Sequence, residues 1–104
     1  MTNQFGNKIR ELRSDKLLLL RQVAAELEMD TALLSKIERG ERPFKKEQIP
    51  TIAKFLGADK DELMTLWLAD QLYTVVQGDE KYAIQAMEIA ERQMRWVRKS
   101  KRRS

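Results

Sequence analysis

Thr31, Ala32, Ser35 and Lys36 fall within the stretch MDTALLSKIERG, residues 29–40. At helical pitch these four share one side of a short helix, and Leu34 and Ile37 share the other. One side is apolar and the other nearly bare, so the helix is shaped to lie against something else. The bare side offers hydroxyl, methyl and ammonium groups, which are contact chemistry. Histidine and cysteine are both absent, which excludes the common zinc sites and the Ser-His and Cys-His nucleophile pairs. The remaining candidate is the carboxylate group Asp59, Asp61 and Glu62. It lacks the glycine and the spacing of a calcium loop and reads as a capped helix start. No metal, no cofactor and no enzymatic activity are expected.

The charges are sorted along the chain. The net charge is +4. Residues 1–57 hold 11 basic and 8 acidic side chains, residues 58–94 hold 3 and 8, and residues 95–104 hold 6 basic and no acidic ones. A basic front, an acidic middle and a basic end imply separate roles. The end, RWVRKSKRRS, can follow a phosphate backbone or serve as a solubilising tail. No apolar run reaches the length of a membrane span, and the longest, residues 17–20, is too short for a secretory signal. With no cysteine, no disulfide framework exists, and a reducing compartment suits the chain.

Apolar residues recur at spacings of three and four throughout, and period-two alternation is absent, so the fold class is all-α. The pattern predicts helices over 3–14, 20–28, 31–39, 47–56, 60–77 and 80–99. Asp30 caps the third and Gly40 stops it; Gly57 stops the fourth. Pro50 sits at the fourth residue of its helix, where first-turn amides lack partners anyway. The second and third helices are joined by a short turn, a pairing that lets the second of them project outward. Ala24 lies at their closest approach. Glu38 can reach back to Arg13 as an ion pair, or be solvated.

The run GNKIRELRSDK…LRQVAAELEMDTALLSKIERGERP resembles the helix-turn-helix domains of the phage-repressor class, the xenobiotic-response-element family. The resemblance covers about residues 5–63, and IRELR, VA, LLSKIERG and IAKFLGADKDEL are its most specific pieces. It implies a five-helix domain that binds double-stranded DNA, usually as a dimer, with its third helix in the major groove. By position, Thr31, Ala32 and Lys36, with Ser35 beside them, fall where family members contact base edges. Arg42, Lys45 and Lys46 fall in the loop GERPFKK that commonly meets phosphates, and Arg21 joins them as a backbone contact. Arg13 and Glu38 match a family ion pair tying the first helix to the third. The chemistry fits. Lys36 can donate to guanine acceptors or act as a point charge on phosphate, and Thr31 offers a hydroxyl and a methyl suited to thymine.

The sequence departs from the pattern at three places. Leu19 and Leu20 stand where Ser or Thr and then Gln are usual, so the second helix loses a hydroxyl cap, at a cost of about 1 kcal/mol. Leu18 with Val23 can staple that helix start, and Gln22 can cover a backbone donor. Glu28 stands where the turn usually holds Gly, a penalty of roughly 1 kcal/mol if positive φ is required. The third helix also shows few polar groups, so DNA shape and backbone contacts must share the readout.

Beyond Leu63 the resemblance fades. The sixth helix places Ala83, Met87, Ala90, Met94 and Val97 at 4-3-4-3 spacing, a coiled-coil seam. Tyr82, Ala86, Ile89 and Trp96 form a flanking stripe, which makes Trp96 a core residue rather than a base-stacking platform. The last two helices form a hairpin completing one core, or a homodimer interface through Trp67, Tyr73, Val76, Tyr82, Met87, Ala90, Met94 and Val97, or a face for another protein. The expected organisation is a five-helix helix-turn-helix bundle with an additional long C-terminal helix: a DNA-binding domain over 1–65, a helical extension for dimerisation over 66–99, and a disordered basic tail over 100–104. The expected function is a sequence-specific transcriptional regulator, a repressor, in the cytoplasm of a prokaryote at the nucleoid. The alternative is an antitoxin-like or adaptor protein whose partner is another protein.

Overall fold

Asn3 starts the first helix: its Oδ1 accepts the Gly6 amide at 3.2 Å, so Asn3 is the cap rather than the first helical residue. The computed structural model describes residues 3–103, with side chains through Lys101. Every regular element among them is helical. The order is α1 Gln4–Asp15, α2 Leu20–Glu26, α3 Thr31–Glu38, a 3-10 turn Lys46–Gln48, α4 Ile49–Leu56, α5 Lys60–Val76 and α6 Glu80–Arg103. The predicted start of the fourth helix at 47 is therefore corrected. The 3-10 turn comes first and Pro50 sits in the opening turn of α4, where a fixed φ and a missing N–H suit a helix start.

The first four helices end in one backbone pattern. After α1, Leu17 and Leu18 donate to the carbonyls of Ser14 and Arg13; after α2, Glu28 and Met29 donate to Ala25 and Ala24. After α3, Gly40 and Glu41 donate to Ile37 and Lys36; after α4, Gly57 and Ala58 donate to Lys54 and Ala53. This is the Schellman arrangement, with its pivot residue in the left-handed region. Gly40 and Gly57 fill that pivot without strain, whereas Leu17 (φ +56°) and Glu28 (φ +53°) do so with a Cβ.

The chain forms two compact units, one reaching Tyr73 and one beginning at Thr74. The core of the first is built from Ile9, Val23, Leu34, Ile49, Ile52, Leu56 and Leu63, all fully buried. Phe5 and Phe44 close it with ring centroids 5.1 Å apart. α5 runs on past residue 65, and the first unit reaches Tyr73 with it. Leu66 and Trp67 pack on the core, and the Trp67 indole N–H donates to the Phe44 carbonyl at 2.8 Å. Asp70 accepts the Gln4 and Phe5 amides at 2.9 Å each.

In the second unit, α6 runs to Arg103. The tail expected to be disordered from 100 is helical through that residue, and Ser104 lies outside the described residues. The physical reason is composition. Lys and Arg are good helix formers, cations at a C-terminus complement the helix dipole, and no Gly or Pro follows Gly78.

Candidate nucleic-acid interface

α3 is held from both ends. At its start, Asp30 Oδ1 accepts the Ala32 amide at 3.2 Å. The preceding turn passes through Glu28, with Ala24 buried at the crossing and Met29 half-buried. The Gln48 side chain donates to the Leu27 carbonyl at 3.1 Å and secures the end of α2. The start of α2 has no hydroxyl cap. Instead Gln22 Oε1 accepts the Leu19 amide at 2.7 Å. Leu19 has no acceptor to return the bond, so only half of a capping box exists.

At its end, α3 is tied to α1. Arg13 Nε and Nη2 donate to Glu38 Oε2 and Oε1 at 2.8 and 3.1 Å, and Nη1 donates to the Leu18 carbonyl at 2.9 Å. Glu38 is buried. The hydrogen bonds to Glu38 hold the Arg13 guanidinium above its ordinary pKa, against an opposing effect of burial. A buried carboxylate gripped at both oxygens fixes rotation as well as distance. Asn3 adds a bond from its side-chain amide to the Glu38 carbonyl at 2.7 Å. This approach is so close that a Cβ on Gly6 would stand 2.7 Å from that carbonyl oxygen, so position 6 admits only glycine without a shift of α1 against α3.

The result is a short helix with one face sunk and one open. Leu34, Ile37 and Glu38 are buried, while Thr31, Ala32 and Lys36 are exposed. Ser35 is half-buried and its hydroxyl accepts from Arg39 Nη1. Arg39 also pairs with Glu41 at 2.7 Å. Leu33 lies off the open face, lining a cleft of about 250 Å³ with Pro43 and Lys45.

Arg21, Lys36, Arg42, Lys45 and Lys46 are all exposed. None of these side chains has a hydrogen bond or ion pair with another described residue. Arg21 is on α2, Lys36 on α3, and the other three on the connection from α3 to α4. The open face and these cations are thus supplied by two consecutive helices and the loop after them. Charge left unpaired in this way suits a polyanion, because neutralising phosphates releases counterions.

Residues 4–66 match the family model for a helix-turn-helix domain. The chain belongs to the helix-turn-helix domain family. No curated protein and no solved structure matches it. This helix-turn-helix domain spans α1 to α4 and the start of α5, and the family brings with it DNA binding and a part in transcription regulation.

The residues expected at a dimer interface are divided. Trp67 is half-buried on the core of the first unit and its indole is satisfied there. Tyr73 lies exposed at the end of that unit. In the second unit Val76 is half-buried, and Tyr82, Met87, Ala90, Met94 and Val97 are exposed. Sequence reasoning missed Asp70, Asn3 and Arg39. Only Asn3 carried a local signal, as a capping residue just ahead of the first apolar stripe.

Proposed function

We propose that this helix-turn-helix domain is of the phage-repressor class and that the protein is a sequence-specific transcriptional repressor acting as a dimer on double-stranded DNA. The observation that supports this reading is the open face of α3, with the side chain of Lys36 unpaired, together with the unpaired side chains of Arg21 on α2 and of Arg42, Lys45 and Lys46 on the connection after α3. With α3 in the major groove, Thr31, Ala32, Ser35 and Lys36 meet base edges, and the other cations meet phosphates. One ammonium, one small apolar contact and two hydroxyls make a short vocabulary, one of those hydroxyls already engaged by Arg39. Two copies spaced by one DNA turn, about 34 Å, and the shape of the DNA between them supply the rest. Such a regulator works at the nucleoid, in the cytoplasm.

The test is binding to the protein's own promoter DNA, measured by fluorescence anisotropy across a salt series. Lys36→Ala is expected to cost about 1–3 kcal/mol on the preferred sequence. Arg42→Ala is expected to reduce the salt slope by about 1. If both substitutions leave affinity and salt slope unchanged, the groove docking is wrong.

A protein partner is the second reading, an antitoxin-like or adaptor role through α5 and α6. The exposure of Tyr82, Met94 and Trp96 on α6 favours it; Trp96, at 69% exposed, is not the core residue its stripe predicts. Isolation of a stoichiometric protein complex that retains no DNA would replace the first reading with this one.

A further inference from the structure

Two patterns run along α6, and they belong together. The first is the seam of Ala83, Met87, Ala90, Met94 and Val97. Beyond Ala83 it is open to solvent, with Met94 63% and Val97 45% exposed. The second is charge. Residues 79–91 hold Asp79, Glu80, Glu88 and Glu91 against Lys81 alone, whereas residues 92–103 hold 7 basic side chains and no acidic one. α6 is therefore a helix with an acidic half, a basic half and an apolar stripe joining them.

We propose that the occupant of this stripe is a second copy of α6, packed antiparallel. The proposal rests on the dimer reading above and gives it a face and a direction. Parallel packing would set the basic half of one copy against the basic half of the other. Antiparallel packing sets acidic against basic at both ends of the contact. The edges of the seam agree. Glu91 follows Ala90 and Arg98 follows Val97, on one edge, while the opposite edge carries Ala86, Gln93 and Ser100. In antiparallel helices like edges face each other, so Glu91 of each copy meets Arg98 of the other, twice by symmetry. In parallel helices the charged edge faces the uncharged one and nothing is gained. The bond from Arg95 to Glu91 within one helix, at 2.6 Å, lies in solvent and competes weakly. A hydrophobic seam supplies the attraction and the flanking charges choose the direction.

The absence of cysteine allows a clean experiment on the full chain. Lys81 is exposed, so Lys81→Cys carries one spin label per copy without disturbing the fold. Sedimentation should give twice the chain mass. In an antiparallel pair that sets Glu91 against Arg98, the centre lies between residues 94 and 95 and the labels lie roughly 40 Å apart, at 1.5 Å of rise per residue. In a parallel pair they lie within about 20 Å, because packed helix axes are about 10 Å apart. Arg98→Glu alone should weaken self-association about tenfold, and Arg98→Glu with Glu91→Arg should restore it. A monomer at tens of micromolar, a short label distance, or an Arg98→Glu chain that associates unchanged overturns the proposal. So does a chain that stays monomeric until another protein covers α6. Anisotropy on the same samples separates the two claims. A dimer with widely spaced labels that ignores DNA upholds this pairing and removes the proposed function. DNA binding by a chain whose α6 helices are parallel or unpaired removes the pairing alone.

Discussion

The Asp70 carboxylate on α5 accepts the backbone N–H of Phe5 on α1 at 2.9 Å, and its other oxygen takes the N–H of Gln4. A negative group thus sits on the free amides at the start of α1, although it is supplied from the far end of the domain. Anions are stabilising there because the first amides have no partner within the helix and the dipole is positive. Asp70→Ala should lower stability by about 1 kcal/mol, seen as a fall of roughly 4–8 °C in thermal midpoint for a domain of this size. Asp70→Asn should lose less, since an amide oxygen still accepts. An unchanged midpoint in both variants would remove the cap from the account.

Glu28 and Leu17 hold pivots that glycine fills better, and Leu17 is almost wholly exposed. Glu28→Gly and Leu17→Gly should each raise stability by up to about 1 kcal/mol. Urea melts would show a later midpoint at constant slope. The reverse change, Gly40→Ala, should destabilise, because the new Cβ would also stand 2.8 Å from the Asn3 side chain.

Leu19 already has the extended backbone of an N-cap, φ −80° and ψ 152°, and lacks only an acceptor. Leu19→Ser should complete the capping box with Gln22 and add about 1 kcal/mol. The gain should vanish when Gln22→Ala is added, which a double-mutant cycle would reveal.

Arg13→Ala would leave the buried Glu38 carboxylate without its cation, at a cost of about 3 kcal/mol. Replacing both partners by methionine should recover most of that loss, while DNA affinity stays low because the hold on the end of α3 is gone. A double variant with both stability and affinity intact would mean the pair has no positioning role.

The Glu80 carboxylate accepts its own amide and that of Gly78, and these bonds hold it below the usual carboxylate range. A depressed folded value means that the contribution is present above the ordinary pKa and is lost as pH falls through the folded one. The Gly78 amide chemical shift should therefore titrate with a midpoint below the ordinary glutamate range, and Glu80→Gln should flatten it.

How much of this was legible beforehand depends on range. The apolar stripes of α1 to α4 gave their existence, and Asp30, Gly40 and Gly57 marked their ends, because caps and pivots act within a few residues. Glu28 could be singled out as a strained pivot for the same reason. Three features were not legible. The start of α4 was misjudged because a 3-10 turn and an α-turn share the same local pattern ahead of Pro50. The helical end of α6 was misread because a run of Lys and Arg is compatible with both a tail and a helix. The Trp67 indole finds the Phe44 carbonyl, a partner no periodicity announces. For the interface itself, spacing gave the face of α3, but not that Arg39 would engage the Ser35 hydroxyl.

The cap from Asp70 also bears on how the chain is made. Its partner Phe5 is 65 positions earlier, so a growing chain emerges with the start of α1 bare. The loop closes only after most of α5 has been synthesised. Contacts of such long sequence separation form late and slow the final step of folding. A fragment cut at residue 66, the end of the family match, retains α2 and α3 and discards the carboxylate. It should fold less completely on synthesis and be degraded faster in cells than one cut at 73, although both encode the same open face of α3.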